Sequence, residues 1–165
     1  MKRILPLIGL AALLSACGLR PVYSGGSHGA VAQTLGNVEV QPIEGKGGWL
    51  VRNALNDRLA AMSGNGPTYK LVVKLDDQIS GFGLRADTAI TRERRTLRAR
   101  YQLVDVATGA QLIDDTAGSD AGIDVTSSEY ATIAAEDTAL ERLSQTLADQ
   151  IVARIALYAA RDTQR

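Results

Sequence analysis

Between Asn37 and Arg161 the apolar positions change their period along the chain, and each change marks an element. From Asn37 to Ile43 they alternate, with Val38 and Val40 on one side and Pro42 marking an edge or strand end. After Gly47-Gly48 the spacing becomes helical: Leu50, Val51, Ala54, Leu55, Leu59 and Met62 form one stripe, and Arg52, Asn56, Asp57 and Arg58 fill the wet side. This predicts a helix from about Trp49 to Met62, stopped by Gly64-Asn65-Gly66-Pro67. Alternation returns from Thr68 to Asp76, with Tyr69, Leu71, Val73 and Leu75 on one face and Lys70, Val72, Lys74 and Asp76 on the other. Two more strands follow, Ile90 to Val104 and Ala110 to Thr116, joined by a hairpin turn at Asp105-Val106-Ala107-Thr108-Gly109.

A polar, glycine-bearing segment then leads to Ser127-Ser128, a good helix cap, with Glu129 placing negative charge in the first turn. The final helix runs to about Arg161. Its stripe is Tyr130, Ile133, Leu140, Leu143, Leu147, Ile151, Ile155 and Tyr158, and Asp137 falls in the one long gap, where a kink or a polar contact is expected. The element order β-α-β-β-β-α predicts an α+β fold. It is a two-layer sandwich with two helices packed on one face of a small mixed, mostly antiparallel sheet.

The start of the chain obeys different rules. Lys2 and Arg3 precede an apolar run from Ile4 to Leu14, too short to span a bilayer, and Leu14-Ser15-Ala16 leads into Cys17, the only cysteine. This pattern resembles a lipobox. The resemblance implies cleavage after Ala16, a diacylglyceryl thioether on Cys17 and acylation of the new amino terminus with fatty acids such as palmitate. Two or more acyl chains anchor a protein stably, at about 0.8 kcal/mol per buried CH₂. Gly18 in place of Asp favours the outer membrane, by analogy with the enterobacterial sorting rule. Residues 1–16 are thus expected to be a signal peptide and 17–36, with Ser24-Gly25-Gly26-Ser27-His28-Gly29, an acylated flexible tether. Residues 37–161 make a single domain and 162–165 a tail.

Charge narrows the function. The chain has 18 basic and 18 acidic residues, and the mature protein, without Lys2 and Arg3, is about −2. No global charge calls for nucleic acid, so any anion site must be local. The strand from Ile90 to Leu103 is the exception. Its alternation puts Arg92, Arg94, Arg98 and Arg100 on one face and Leu97, Ala99, Tyr101 and Leu103 on the other. Lys70 and Lys74 fall in phase with the arginines. Guanidinium groups take phosphate and carboxylate bidentately, so an anionic lipid head group or an acidic protein wall is the natural ligand. The competing account is a solvated face neutralised locally, for which Asp114 and Asp115 are too few.

Catalytic constellations are absent from the sequence. The only histidine, His28, lies in the tether, which removes His-based triads and His or Cys metal sites, and no cofactor is implied. Asp76-Asp77 and Asp114-Asp115 are adjacent pairs that point apart in extended chain. Gly81-Phe82-Gly83 has no helix after it to cradle phosphate and reads as a bulge or bend. Trp49 reads as a core or rim residue.

Several segments together resemble the LPS-assembly lipoprotein family, LptE, in its alphaproteobacterial form. They are Cys17-Gly18-Leu19-Arg20-Pro21-Val22-Tyr23, the strand from Arg95 to Asp105, Gly109 with Leu112, and Tyr130 to Asp137 running into Leu147-Ala148-Asp149-Gln150-Ile151. The resemblance implies a two-layer α/β domain inside the lumen of the outer-membrane barrel LptD, on the periplasmic side. It further implies binding of lipopolysaccharide and help in assembling it into the outer leaflet, without catalysis. An auxiliary lipoprotein of another envelope lipid-transport system is the competing expectation, and a lipid-anchored hydrolase is disfavoured by the missing nucleophile–base pair.

Overall fold

The computed structural model describes residues 29–60, 66–84 and 90–162. The expected signal, Cys17, the tether up to His28, Met62 and the last three residues lie outside the described residues. The elements are α1 (Ala30–Gly36), β1 (Val38–Val40), α2 (Gly45–Ala60), β2 (Tyr69–Leu84), β3 (Ile90–Asp105), β4 (Gln111–Asp124) and α3 (Glu129–Asp162). The strands form one sheet in the order β1-β2-β3-β4, with β1 parallel to β2 and the other neighbours antiparallel. This is the α+β two-layer arrangement that the sequence predicts, with one helix more.

That extra helix is α1. The sequence reading takes residues 17–36 as a tether and begins the domain at Asn37, but Val31, Ala32 and Leu35 are buried in the core. They lie one and four residues apart, on one helix face. A helix of about two turns carries too few apolar residues to stand out beside Ser24–Gly29. Its C-terminal end is tied to the sheet: the Asn37 carbonyl accepts hydrogen bonds from the amides of Thr68 (2.9 Å) and Tyr69 (3.1 Å).

The core lies between the sheet and the helices. Val51, Leu55 and Leu59 of α2 and Leu140, Leu143, Leu147, Ile151 and Ile155 of α3 meet Leu71 and Val73 of β2, Leu97, Tyr101 and Leu103 of β3, and Ile113 of β4. Ser144, buried among them, donates to the Leu140 carbonyl one turn back (2.8 Å) and so leaves no unmet hydroxyl. At the hairpin, the Asp105 carboxylate accepts from the Thr108 amide (2.7 Å) and hydroxyl (2.9 Å), and Gly109 takes the left-handed backbone (φ 71°) that closes the turn.

Both long strands run further than their apolar alternation. Beyond Leu75 and Leu97 the helix-facing side turns ionic: Arg95 forks onto Asp77 (2.8 and 2.6 Å) and gives a third bond to the Glu136 carbonyl (3.0 Å). Asp137 makes the polar contact expected in the gap of the α3 stripe, an ion pair with Lys46 of α2 (2.7 Å). Above it, Tyr130 and Ile133 do not join the core as the stripe suggests; Tyr130 is 83% exposed. The first turns of this helix lie beyond the start of α2, where Lys46 meets Asp137, and no described residue covers that face. Among the described residues no helix is long and apolar enough to cross a membrane.

Within this ionic layer one group is mismatched. An oxygen of the Glu93 carboxyl is buried without a hydrogen-bond partner, and burial, with the nearby Glu136 charge, pushes its pKa up from the ordinary 4.5. A raised folded-state pKa means that the protonated form favours folding, fully below the ordinary value and less as pH rises through the shifted one. Glu93→Gln should therefore raise the melting temperature near neutral pH, with the gain shrinking as the pH falls toward about 4.5 and absent below it. Parallel thermal melts of both proteins across that range would show it, and a pH-independent difference would mean that the carboxyl pair carries no such cost.

Candidate anion-binding face

The sheet has one face under the helices and one open face. On β3, Leu97, Ala99, Tyr101 and Leu103 point inward and are buried, and Arg92, Arg94, Arg98 and Arg100 point outward and are exposed, as alternation requires. The β2–β3 register sets Lys74 opposite Arg100, Lys70 opposite Val104 and Asp76 opposite Arg98, so both lysines share the open face. All six sequence-predicted residues come together on one surface.

They are not equivalent. Three of the arginines are held by carboxylates from β4. Arg100 forks onto Asp114 (3.0 and 2.7 Å), which also accepts from Gln102 (3.2 Å). Arg92 reaches Asp124 (3.1 Å), and Arg94 lies 3.9 Å from Asp120 with its guanidinium 5.4 Å from the ring centre of Phe82. The hydrogen bonds from Arg100 and Gln102 hold the Asp114 carboxyl down at about 2, so it stays charged at any physiological pH. Asp115, offered in the sequence reading as a neutralising partner, points the other way and binds Arg154 of α3 (2.8 Å). Local neutralisation is thus more complete than expected, because β4 continues to Asp124 and brings Asp120 and Asp124 into the row. The sequence signal was the spacing itself: Asp114, Asp120 and Asp124 are all in phase with the arginines across the hairpin.

Lys70, Lys74 and Arg98 make no ion pair with any described residue. Two of them meet at a shallow concavity of about 570 Å³, lined by Lys74, Asp76, Arg98, Arg100, Thr116 and Gly118. Gly118 stands opposite Arg98, and a Cβ there would lie 3.1 Å from the Arg98 Cγ, so the missing side chain lets the arginine lie across the strand. Asp76 is occupied by Gln78 (3.1 and 3.3 Å). The arrangement offers two free cations, plus the guanidinium N–H groups of Arg100 not spent on Asp114, to a multivalent anion. Trp49 sits far from this surface, 63% exposed on the helical side.

Comparison with known proteins agrees with this architecture. A family model described as "LptE: Lipopolysaccharide-assembly" matches residues 35–155. A lipoprotein of Caulobacter crescentus CB15 is similar in structure, with a TM-score of 0.67 and 29% identity over 82% of this chain and 98% of that one. The rare lipoprotein B of Shewanella oneidensis shares the fold at 12% identity, with a TM-score of 0.56 over 73% of this chain and 92% of its own. A minor lipoprotein of Acinetobacter baumannii does so at 14% identity and 0.55, over 73% and 91%. No match is found among curated proteins. With most of its length under the family model and its strands and helices in the same arrangement, the chain belongs to the LptE family of lipopolysaccharide-assembly proteins.

Proposed function

We propose that this protein is an outer-membrane lipoprotein, anchored on the periplasmic side by acyl chains at Cys17. It associates with an LptD-like barrel and binds lipopolysaccharide through the open sheet face, assisting its assembly into the outer leaflet. Its role is to bind and position, with no catalytic step. The observation that carries the reading is the group Lys74, Arg98 and Arg100 around one concavity, with Lys70 on the same face. Arg92 and Arg94 extend the row. Family membership supplies the lipopolysaccharide context, and the chemistry of the face suits phosphate, which accepts several charge-assisted hydrogen bonds at once.

Lys74→Glu with Arg98→Glu is the decisive variant, because neither side chain holds a carboxylate whose loss could disturb the sheet. Capture of lipopolysaccharide should fall by about tenfold or more as favourable contacts become repulsive. Circular dichroism should stay native, since changes on an exposed face usually remain within about 0.5 kcal/mol. Asp114→Asn, which releases Arg100, should shift capture modestly the other way at low salt. Unchanged capture and unchanged barrel co-purification by a natively folded double variant would reduce the face to a solvated charge ladder.

A further inference from the structure

Along the outer edge of β4, side chains meet the main chain at Thr116 and Gly118, and the half from Asp120 to Asp124 is open among the described residues. In an antiparallel pair, alternate residues turn their main-chain groups toward the neighbour and away from it. Gly118 turns away from β3, because its amide donates to the Gln150 side-chain oxygen (3.2 Å) and its carbonyl meets the Gln150 amide (3.5 Å). The same phase turns Thr116, Asp120, Gly122 and Asp124 outward, and the next residue of opposite phase, Val125, bonds inward to Thr91 (3.0 Å). The Thr116 amide is met by the Asp115 carboxylate (2.8 Å). Gln150 and Asp115 thus take the place of a neighbouring strand, which is how exposed edges are blunted against unwanted pairing.

From Asp120 to Asp124 no described residue supplies such a device. No described group bonds the outward main-chain N–H and C=O groups of Asp120, Gly122 or Asp124. Beside them runs a groove of about 500 Å³ between β4 and α3, lined by Ala121, Ile123, Ala134, Ala135, Thr138 and, at one end, Arg142. Ala134, Thr138 and Arg142 recur every four residues and so form one row along α3. Arg142 is exposed and makes no ion pair with a described residue. The small side chains leave room for the inward-pointing residues of a further strand.

We propose that this half of the edge takes an extended segment of a partner polypeptide as a fifth strand, with a carboxylate of that segment on Arg142. Open main-chain donors and acceptors select an extended backbone, and the cation at the groove's end selects an acidic side chain. A second copy of this chain fits worse. Antiparallel self-pairing about Gly122 would set Asp120 directly across from Asp124 of the other copy, on the same face, and like charges so placed repel.

The test uses the full chain in detergent, isotope-labelled for amide resonances. The probe is a blocked peptide of about six residues, alternating Thr and Val around a central Glu. With the peptide at about ten times its Kd, exchange of the Asp120, Gly122 and Asp124 amides should slow by about tenfold, with Gly118 unaffected. The same peptide N-methylated along its pairing edge should do nothing. Gly122→Pro removes one outward N–H and leaves the β3 ladder intact, so it should abolish protection. Gly122→Val keeps that N–H, adds its side chain to open space and should retain it. Arg142→Glu should weaken binding of the Glu peptide and strengthen that of a Lys counterpart. Absence of protection at the three amides, equal protection by the N-methylated peptide, or a concentration-dependent dimer of the chain formed through this edge would each overturn the proposal.

Discussion

Leu147→Asp should leave the domain largely unfolded at room temperature. Leu147 is fully buried at the middle of α3, between Leu143 and Ile151, where the helix lies on the sheet. Truncating such a leucine costs about 2–5 kcal/mol, and a buried carboxylate without a partner adds several more or must take up a proton. A domain of this size has about 5–15 kcal/mol in total. The sum therefore competes with the whole of the folding free energy. Arg142→Gln, on the exposed side of the same helix, should change stability by no more than about 0.5 kcal/mol. Thermal melts compare the two directly, and similar melting temperatures would mean that the phase of α3 is wrong.

Gly48→Ala should destabilise by about 2 kcal/mol, against the usual expectation for a helix. Inside a helix alanine is favoured over glycine by about 1 kcal/mol. Here a Cβ would lie 2.6 Å from the Ile43 carbonyl oxygen and 2.7 Å from its carbon. Both are main-chain atoms just ahead of α2 and cannot swing aside, so the overpacking cost of about 1–3 kcal/mol, or more, outweighs propensity. Gly47→Ala is the matched control. Its Cβ would meet side-chain atoms at ordinary contact distance, the nearest being the Leu140 Cδ1 at 3.5 Å and the Asp77 Oδ2 at 3.8 Å, so propensity should win and the variant should melt at or above the parent temperature. If both alanines behave alike, the close approach of Ile43 to α2 is not present in solution.

What the sequence made legible follows the apolar periods. Strands whose inner residues are Leu71, Val73, Leu97, Tyr101 or Leu103 alternate plainly, and the stripe from Leu140 to Ile155 steps as a helix should. Legibility ends where apolar residues stop carrying the packing. The outer half of β4, from Ala117 to Asp124, holds glycines, a serine and aspartates, and it is a strand because Arg92, Arg94 and the β3 main chain pair with it. That partnership is visible only once the register is known. The same holds for Asp77 and Arg95, which pair with each other across the sheet while Arg95 also reaches the Glu136 carbonyl of α3. For the candidate site, phase alone was enough to put all six cations on the open face. Which of them were already engaged depended on Asp120 and Asp124, assigned in the sequence reading to a linking segment.

The Arg–Asp ladder also bears on conformational entropy. An arginine side chain free in water holds about 2 kcal/mol of rotamer freedom, and a ligand that captures it must quench that motion. Arg100, forked onto Asp114 at two points, loses most of it when the sheet forms. An anion arriving there meets a guanidinium whose direction is already set, and the loss on contact is small. Arg98, Lys70 and Lys74 keep their freedom until something binds. The face thus combines fixed donors with adaptable ones, a combination suited to anions whose spacing varies from one molecule to the next.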